Sequence, residues 1–387
     1  MSGIKFEFAT ATQIIFGAGT LKQVGPLAAE MGRRALLVTG QRAERAKPVL
    51  AILAAHGVEA ITFVVTGEPT ISLIQQGVEQ ARAAACNLVI GFGGGSALDA
   101  GKAIAVLLTN PGEPLDYLEV IGRGQNLTHP PVPYIAIPTT AGTGAEATRN
   151  AVLGAPEHQM KVSLRSPLML PRLAVVDPEL TYNLPPAITA STGLDALTQV
   201  LEPFVSNRAN PLTDAICREG LHRAARSLRR AYEQGSDPAA REAMALASLF
   251  GGLALANAKL GAVHGFAAVL GGMFPAPHGA VCAALLPHVM AVNVQALQAR
   301  QPESETLRRY DEVAQILTGN PQARASEGVN WVQALVQALH IPGLSTYGLT
   351  SADFPTVIEK SAVSSSMQGN PLKLTTEEMA EILTRAW

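Results

Sequence analysis

Cysteine, aromatic side chains and charge are all scarce in this chain. Its three cysteines, Cys86, Cys217 and Cys282, are odd in number and scattered through 387 residues. Neither a disulfide framework nor a cysteine-type zinc site is expected from that spacing. Only 16% of the residues are charged, and 29 Lys and Arg stand against 31 Asp and Glu, with no basic cluster. A nucleic acid is therefore not expected as the main partner. The N-terminus carries Lys5 and Glu7 where a signal peptide would have its apolar core. The most apolar stretch, Met244 to Phe274, is interrupted by Asn257, Lys259 and His264, which reads as a buried helix and not as a membrane span. A cytoplasmic protein with small-molecule ligands and no membrane partner is the expectation.

Apolar residues, by contrast, make up 48% of the chain, enough to fill the cores of two or three domains. The informative stretch runs from Ile90 to Ala103, where the apolar strand Leu88 to Phe92 meets a helix through Gly93, Gly94 and Gly95. Without β-carbons the backbone can approach a ligand closely, and Ser96 is placed to cap the helix. Exposed amides and the positive end of the helix dipole would then face an anion. The dinucleotide fingerprint G-x-G-x-x-G would need glycine at Ser96 or Leu98, and a P-loop would need glycine at Ser96 and a hydroxyl at Ala103. Neither pattern is met.

Around this turn strands and helices alternate. Ala35 to Gly40 and Ala60 to Val65 are apolar strands, and the spacing predicts helices from about Arg42 to His56 and Ser72 to Ala85. The β-α-β-α order implies a wound α/β sheet with its ligand beyond the carboxyl ends of the strands. Tyr134 to Ile137 forms another strand, followed by a loop of hydroxyls and glycines, Pro138 to Thr148, rich in donors. Leu173 to Val176 is the last strand. After Leu184-Pro185-Pro186 the pattern becomes helical to the end. This places an α/β domain with a parallel sheet at 1–185 and an all-α domain at 186–387, packed directly with a cleft between them.

Three coordinating residues interrupt otherwise apolar helical sequence: Asp195, His264 and His278. A carboxylate set among Gly, Leu and Ala is buried and needs a partner. Metal ligation would provide one, and one Asp with two His would hold a divalent ion with a position open for substrate oxygen. Each also has a simpler reading: a helix-end hydrogen bonder, a core histidine and a loop donor.

Taken together, Gly93-Gly94-Gly95-Ser96-x-x-Asp99-x-x-Lys102, Pro138-Thr139-Thr140-Ala141-Gly142-Thr143-Gly144-x-Glu146, Gly193-Leu194-Asp195-Ala196, His264-Gly265-Phe266, Pro277-His278-Gly279 and Ser365-Ser366-Met367-x-Gly369-Asn370-Pro371 resemble the iron-containing (group III) alcohol dehydrogenases. Glycerol dehydrogenase and maleylacetate reductase are in the same superfamily. The resemblance spans nearly the whole chain. It implies an NAD(P)-dependent oxidoreductase acting on alcohols or carbonyl compounds, with 1–185 as the dinucleotide-binding α/β domain and 186–387 as the helical metal and substrate domain. Gly94, Gly95 and Ser96 would contact the pyrophosphate, with Asp99 and Thr148 in the same two motifs. Thr139, Thr140 and Thr143 would lie along the nucleotide, and Lys161 near the nicotinamide ribose. Asp195, His264 and His278 would bind zinc or iron, and Lys161 and His264 are the catalytic candidates. A homodimer or higher homo-oligomer is expected.

The sequence departs from the family pattern at two places. A histidine ligand usual one turn after the aspartate is replaced by Gln199, a weak amide ligand at best. A histidine often found one turn after His264, a proton relay, is replaced by Ala268, which leaves water, substrate or a hydroxyl such as that of Thr148 to carry protons. At the end of the second strand, NAD-preferring members often carry an aspartate that repels a 2′-phosphate; here stand Gly40, Gln41 and Arg42. The expectation is NADP over NAD. The alternatives are a metal-independent reductase of an anionic substrate, similar to maleylacetate reductase, with Arg149 or Arg165 gripping a carboxylate, and a decayed nucleotide-binding protein.

Overall fold

The computed structural model describes residues 5–158 and 160–387. The chain forms two compact units, one of Ala9–Thr140 and Gly144–Tyr182, the other of residues 5–8, Ala141–Thr143 and Asn183–Trp387.

In the first unit the strands are β1 (Gln13–Phe16), β2 (Arg34–Gly40), β3 (Glu59–Val65), β4 (Leu88–Gly93), β5 (Tyr134–Pro138), β6 (Asn150–Ala155), β7 (Met160–Arg165) and β8 (Leu173–Val176). Its helices are α1 (Val24–Met31), α2 (Lys47–Ala55), α3 (Ile71–Ala83), α4 (Gly95–Leu107) and the single turn α5 (Pro114–Tyr117). Six strands form a parallel sheet in the order β1-β8-β5-β4-β2-β3. Alternation along the strands splits the core by face. Ala35, Leu37, Ile90 and Ile137 pack with α1 and α2, whereas Leu36, Val38, Val89 and Ala136 pack with α3 and α4. Burial on both faces explains why these strands read as continuous apolar runs.

The chain leaves β2 toward β3 on one side and leaves β4 toward β5 on the other. The switch point therefore lies between the carboxyl ends of β2 and β4, at Gly40 and Gly93. A β-carbon on Gly93 would stand 3.5 Å from the Gly40 amide nitrogen and 2.6 Å from the Ala97 β-carbon. Glycine keeps this crevice open. Helix α4 lies close on β4 because Gly91 and Gly101 leave space for the Tyr134 ring, whose hydroxyl donates to the Leu98 carbonyl at 2.8 Å.

An antiparallel pair, β6 with β7, was not expected from the sequence. Its strands are short, carry Gly154 and alternate between buried and half-buried positions, so no apolar run marks them.

The second unit is helical among its described residues: α6 (Pro186–Val205), α7 (Pro211–Glu233), α8 (Pro238–Asn257), α9 (Ala262–Met273), α10 (His278–Arg300), α11 (Glu305–Thr318), α12 (Ala325–Ala338), α13 (Phe354–Ala362) and α14 (Thr376–Ala386). Met244 to Phe274 is two helices, not one, separated at Ala258–Gly261. Helices α8 and α10 are long and apolar enough to cross a membrane, but 72% and 89% of their most apolar windows is buried. They are core helices. Small residues let the helices cross closely: Gly193 on α6 faces Leu228 of α7, and a β-carbon on Gly251 of α8 would lie 2.9 Å from that of Gln199.

Candidate metal centre and nucleotide turn

Helix α6 places Asp195, Gln199 and Glu202 on one face, at steps of four and three residues. Helix α9 contributes His264 from its first turn, and α10 contributes His278 and, one turn later, Cys282. Asp195, His264, His278 and Cys282 bring one ligand atom each within 4.8 Å of one another. His264 Nε2 lies 3.3 Å from Asp195 Oδ1, and His278 Nε2 lies 3.8 Å from the same oxygen. The Cys282 sulfur is 3.8 Å from His264 Nε2 and 3.7 Å from His278 Nε2. The sequence expectation that no cysteine takes part in a metal-type cluster is thus corrected. Cys86 and Cys217 lie elsewhere, but folding brings Cys282 to the histidines.

Glu202 orients His264. Its Oε2 accepts the Nδ1 proton at 2.7 Å, and its Oε1 accepts the Val263 amide at 2.6 Å. A carboxylate at Nδ1 fixes the hydrogen there in the neutral ring, which would leave Nε2 as the nitrogen whose lone pair binds a metal. Asn370 completes the start of α9 by accepting the Ala262 amide at 3.2 Å, while its amide group bonds Asn293 and the Leu372 carbonyl. The late Ser365–Pro371 motif therefore serves, at Asn370, to cap the helix that carries His264.

Asp195 is 1% exposed, and its Oδ1 has no hydrogen-bond partner. A buried carboxylate oxygen that makes no hydrogen bond, yet lies 3.3 and 3.8 Å from two imidazole nitrogens, needs positive charge beside it, which the imidazoles or a bound cation can supply. Burial alone would raise the Asp195 carboxyl, but the His278 charge and the His264 contact hold it below its ordinary value. Burial alone would lower both histidines, yet negative charge at Cys282 and Asp195, with Glu202 hydrogen-bonded to His264, holds His264 well above and His278 above the usual range. Burial likewise opposes a Cys282 thiolate, and the two histidines outweigh it, so the thiol lies below its ordinary value. The donor set fits a divalent ion.

Gln199 belongs to the same helix face, but its Nε2 donates to the Gly142 carbonyl at 2.7 Å. That bond ties the Ala141–Thr143 segment to α6.

At the other predicted location, the turn after β4 differs in one detail from expectation. Gly94, in extended conformation, is the N-cap, and its carbonyl accepts the Ala97 and Leu98 amides, both at 3.1 Å. Ser96 is thus inside the first turn and makes no cap, because the helix begins two residues earlier than a serine cap would set it. Thr140 lies beside Gly94, within 3.3 Å of where a β-carbon would stand, and Thr139 is anchored by its amide to the Gly93 carbonyl at 2.8 Å. Asp99 faces inward: its Oδ2 accepts the Val152 amide at 2.9 Å and its Oδ1 is 3.6 Å from Lys102. Lys102, 1% exposed, donates to Thr148 Oγ1 at 2.9 Å and to the Ala145 and Asn150 carbonyls at 2.9 and 2.7 Å. The Thr148 hydroxyl also donates to the Ala145 carbonyl at 3.2 Å, and the residue is 3% exposed. The hydroxyl thus accepts and donates at once, and it braces Lys102. Lys161 pairs with Glu68 at 2.9 Å, and Arg165 lies 3.7 Å from Glu119.

Comparison with known proteins agrees with the order of these motifs. Residues 11–178 match the family model described as iron-containing alcohol dehydrogenase, and residues 189–387 match that of the C-terminal part of the Fe-containing alcohol dehydrogenase family. The chain is 35% identical to a 1,3-propanediol dehydrogenase of Citrobacter freundii, with 100% of both chains covered. It is 36% identical to alcohol dehydrogenase 4 of Saccharomyces cerevisiae over 82% of this chain and 81% of the other. A solved 1,3-propanediol oxidoreductase superposes with a TM-score of 0.91 at 34% identity, covering 99% of this chain and 100% of that one. A sulfoacetaldehyde reductase from Bifidobacterium kashiwanohense, solved in complex with NAD+, superposes with a TM-score of 0.87 at 27% identity over 99% of each chain. With both halves matched, in order, around an Asp, His, His and Cys cluster, the chain belongs to the iron-containing alcohol dehydrogenase family, oxidoreductases that act on alcohols.

Proposed function

We propose that this chain is a metal-assisted, NADP-preferring dehydrogenase of small alcohols that runs in reverse as an aldehyde or ketone reductase. The carrying observation is the buried Asp195 oxygen, unpaired and ringed by His264, His278 and Cys282. A divalent ion held by Asp195, His264 and His278 would polarise the carbonyl and stabilise alkoxide charge as hydride is transferred. Glu202 keeps His264 in the tautomer that such binding needs, and Asn370 keeps α9 in place.

The nucleotide reading rests on the first unit. Amides at Gly94, Gly95 and Ser96 open helix α4 and would receive the pyrophosphate. Thr139, Thr140 and Thr143 would run along the nucleotide, and Lys161, held by Glu68, would reach the nicotinamide ribose. Asp99 contributes indirectly by holding β6 and Lys102. At the end of β2, Gly40 offers no carboxylate to repel a 2′-phosphate, and Arg42 follows two residues later. Small substrates are supported by the relatives, a 1,3-propanediol dehydrogenase and a sulfoacetaldehyde reductase among them. The intact donor cluster favours this reading over a metal-independent or decayed one.

The test is His264→Ala. Loss of bound metal together with loss of turnover is expected. Near-normal kcat in metal-free mutant protein would overturn the reading.

A further inference from the structure

We infer that Cys282 is a thiolate ligand, so that Asp195, His264, His278 and Cys282 give four protein donors that select zinc over iron and that a substrate oxygen would join as a fifth ligand; this rests on the metal-assisted reading above. The first argument is spacing. With zinc bonds of about 2.0–2.1 Å to nitrogen or oxygen and about 2.3 Å to sulfur, a tetrahedron has edges of about 3.4 Å between N/O donors and about 3.6 Å between sulfur and nitrogen. The observed edges are 3.3 and 3.8 Å from Asp195 to the two imidazoles, and 3.8 and 3.7 Å from the sulfur to the same nitrogens. These four edges are close to that figure, and the other two are no longer than 4.8 Å.

The second argument is that Asp195 Oδ1, buried and without a hydrogen bond, lies within 4.8 Å of the sulfur. The third is that the lone pair of His264 Nε2 is directed there by Glu202 at Nδ1. Gln199, in the position of the missing histidine ligand, spends its amide nitrogen on the Gly142 carbonyl. The soft donor of this chain comes from α10, and α6 offers at that position only the weaker amide oxygen of Gln199. Thiolate selects zinc among the common divalent ions, whereas a site of nitrogen and oxygen donors alone accepts iron or manganese more evenly. On binding, the thiol proton leaves to solvent as the metal–sulfur bond forms.

X-ray absorption on full-length protein loaded with one equivalent of zinc tests the assignment. One sulfur at about 2.3 Å with three lighter donors at about 2.0–2.1 Å is expected. In Cys282→Ser the sulfur shell should vanish, and zinc affinity should fall about tenfold or more while manganese affinity changes far less. Bound zinc with a shell of nitrogen and oxygen only would overturn the Cys282 ligand and leave the metal-assisted reading standing. Protein that takes up neither zinc nor iron would overturn both. Because the wild-type spectrum decides the ligand set, the result does not depend on the variant folding.

Discussion

Glu202→Gln separates the orientation of His264 from its presence. Glu202 accepts two protons, from His264 Nδ1 at 2.7 Å and from the Val263 amide at 2.6 Å, and is 4% exposed. Glutamine keeps the shape but has one accepting oxygen and one donating nitrogen. If the oxygen keeps the Val263 amide, the nitrogen faces Nδ1, which must then accept. The imidazole hydrogen moves to Nε2 and points at Asp195 and Cys282, where it blocks ligation. If the oxygen keeps Nδ1, the Val263 amide meets a donor, at a cost of about 1–3 kcal/mol for a buried unsatisfied group. Either way, loss of an outer partner to a ligating histidine lowers metal affinity about 10–100-fold, which is about 1.4–2.8 kcal/mol. Competition of zinc-loaded protein against a chromophoric chelator measures it, and saturating zinc should restore most of kcat. Unchanged zinc affinity in a folded Glu202→Gln protein would refute the role given to this carboxylate.

Two further predictions concern the first unit. Gly40→Asp should shift the ratio of kcat/KM for NADPH over NADH toward NADH, because a carboxylate there repels the 2′-phosphate and nothing stands within 4 Å of the new β-carbon; an unmoved ratio would remove Gly40 from the nucleotide site. Glu146 is 1% exposed, and burial raises its carboxyl to about 7, against opposing effects of a backbone hydrogen bond and Lys102. A folded value above the unfolded one gives stability that is present in acid and lost as pH rises from about 4.5 through about 7, on the order of 3 kcal/mol in all. Denaturant unfolding at pH 5 and pH 8 should therefore show a smaller difference in Glu146→Gln than in wild type, and equal differences would contradict the buried titration.

The sequence made the sheet legible where burial on both faces leaves continuous apolar runs, as in β2 and β4. It did not reveal β6 and β7, where alternation is weak and Gly154 interrupts. The end of α8 at Asn257 was legible as well, where Asn257 and Lys259 interrupt the apolar run. At the metal centre, Asp195, His264 and His278 stand out as polar residues in apolar surroundings. Cys282 does not, since cysteine is apolar in character, yet its place four residues after His278 on a helix was a readable signal. Glu202 was readable too, at seven residues or two turns after Asp195. What no spacing could supply is the meeting of α6, α9 and α10, which depends on close crossings such as Gly279 of α10 against the Ser191 carbonyl of α6, where a β-carbon would stand 2.8 Å away. The same holds for Thr148, which looked like a free hydroxyl until the fold set it against Lys102.

Elemental analysis of the purified protein, paired with NADPH-dependent reduction of a small aldehyde before and after chelation, tests the central claim most directly. The account predicts close to one divalent ion per chain, activity lost on chelation, and activity regained when the ion is returned. Metal-free protein that reduces the aldehyde at an undiminished rate would contradict it.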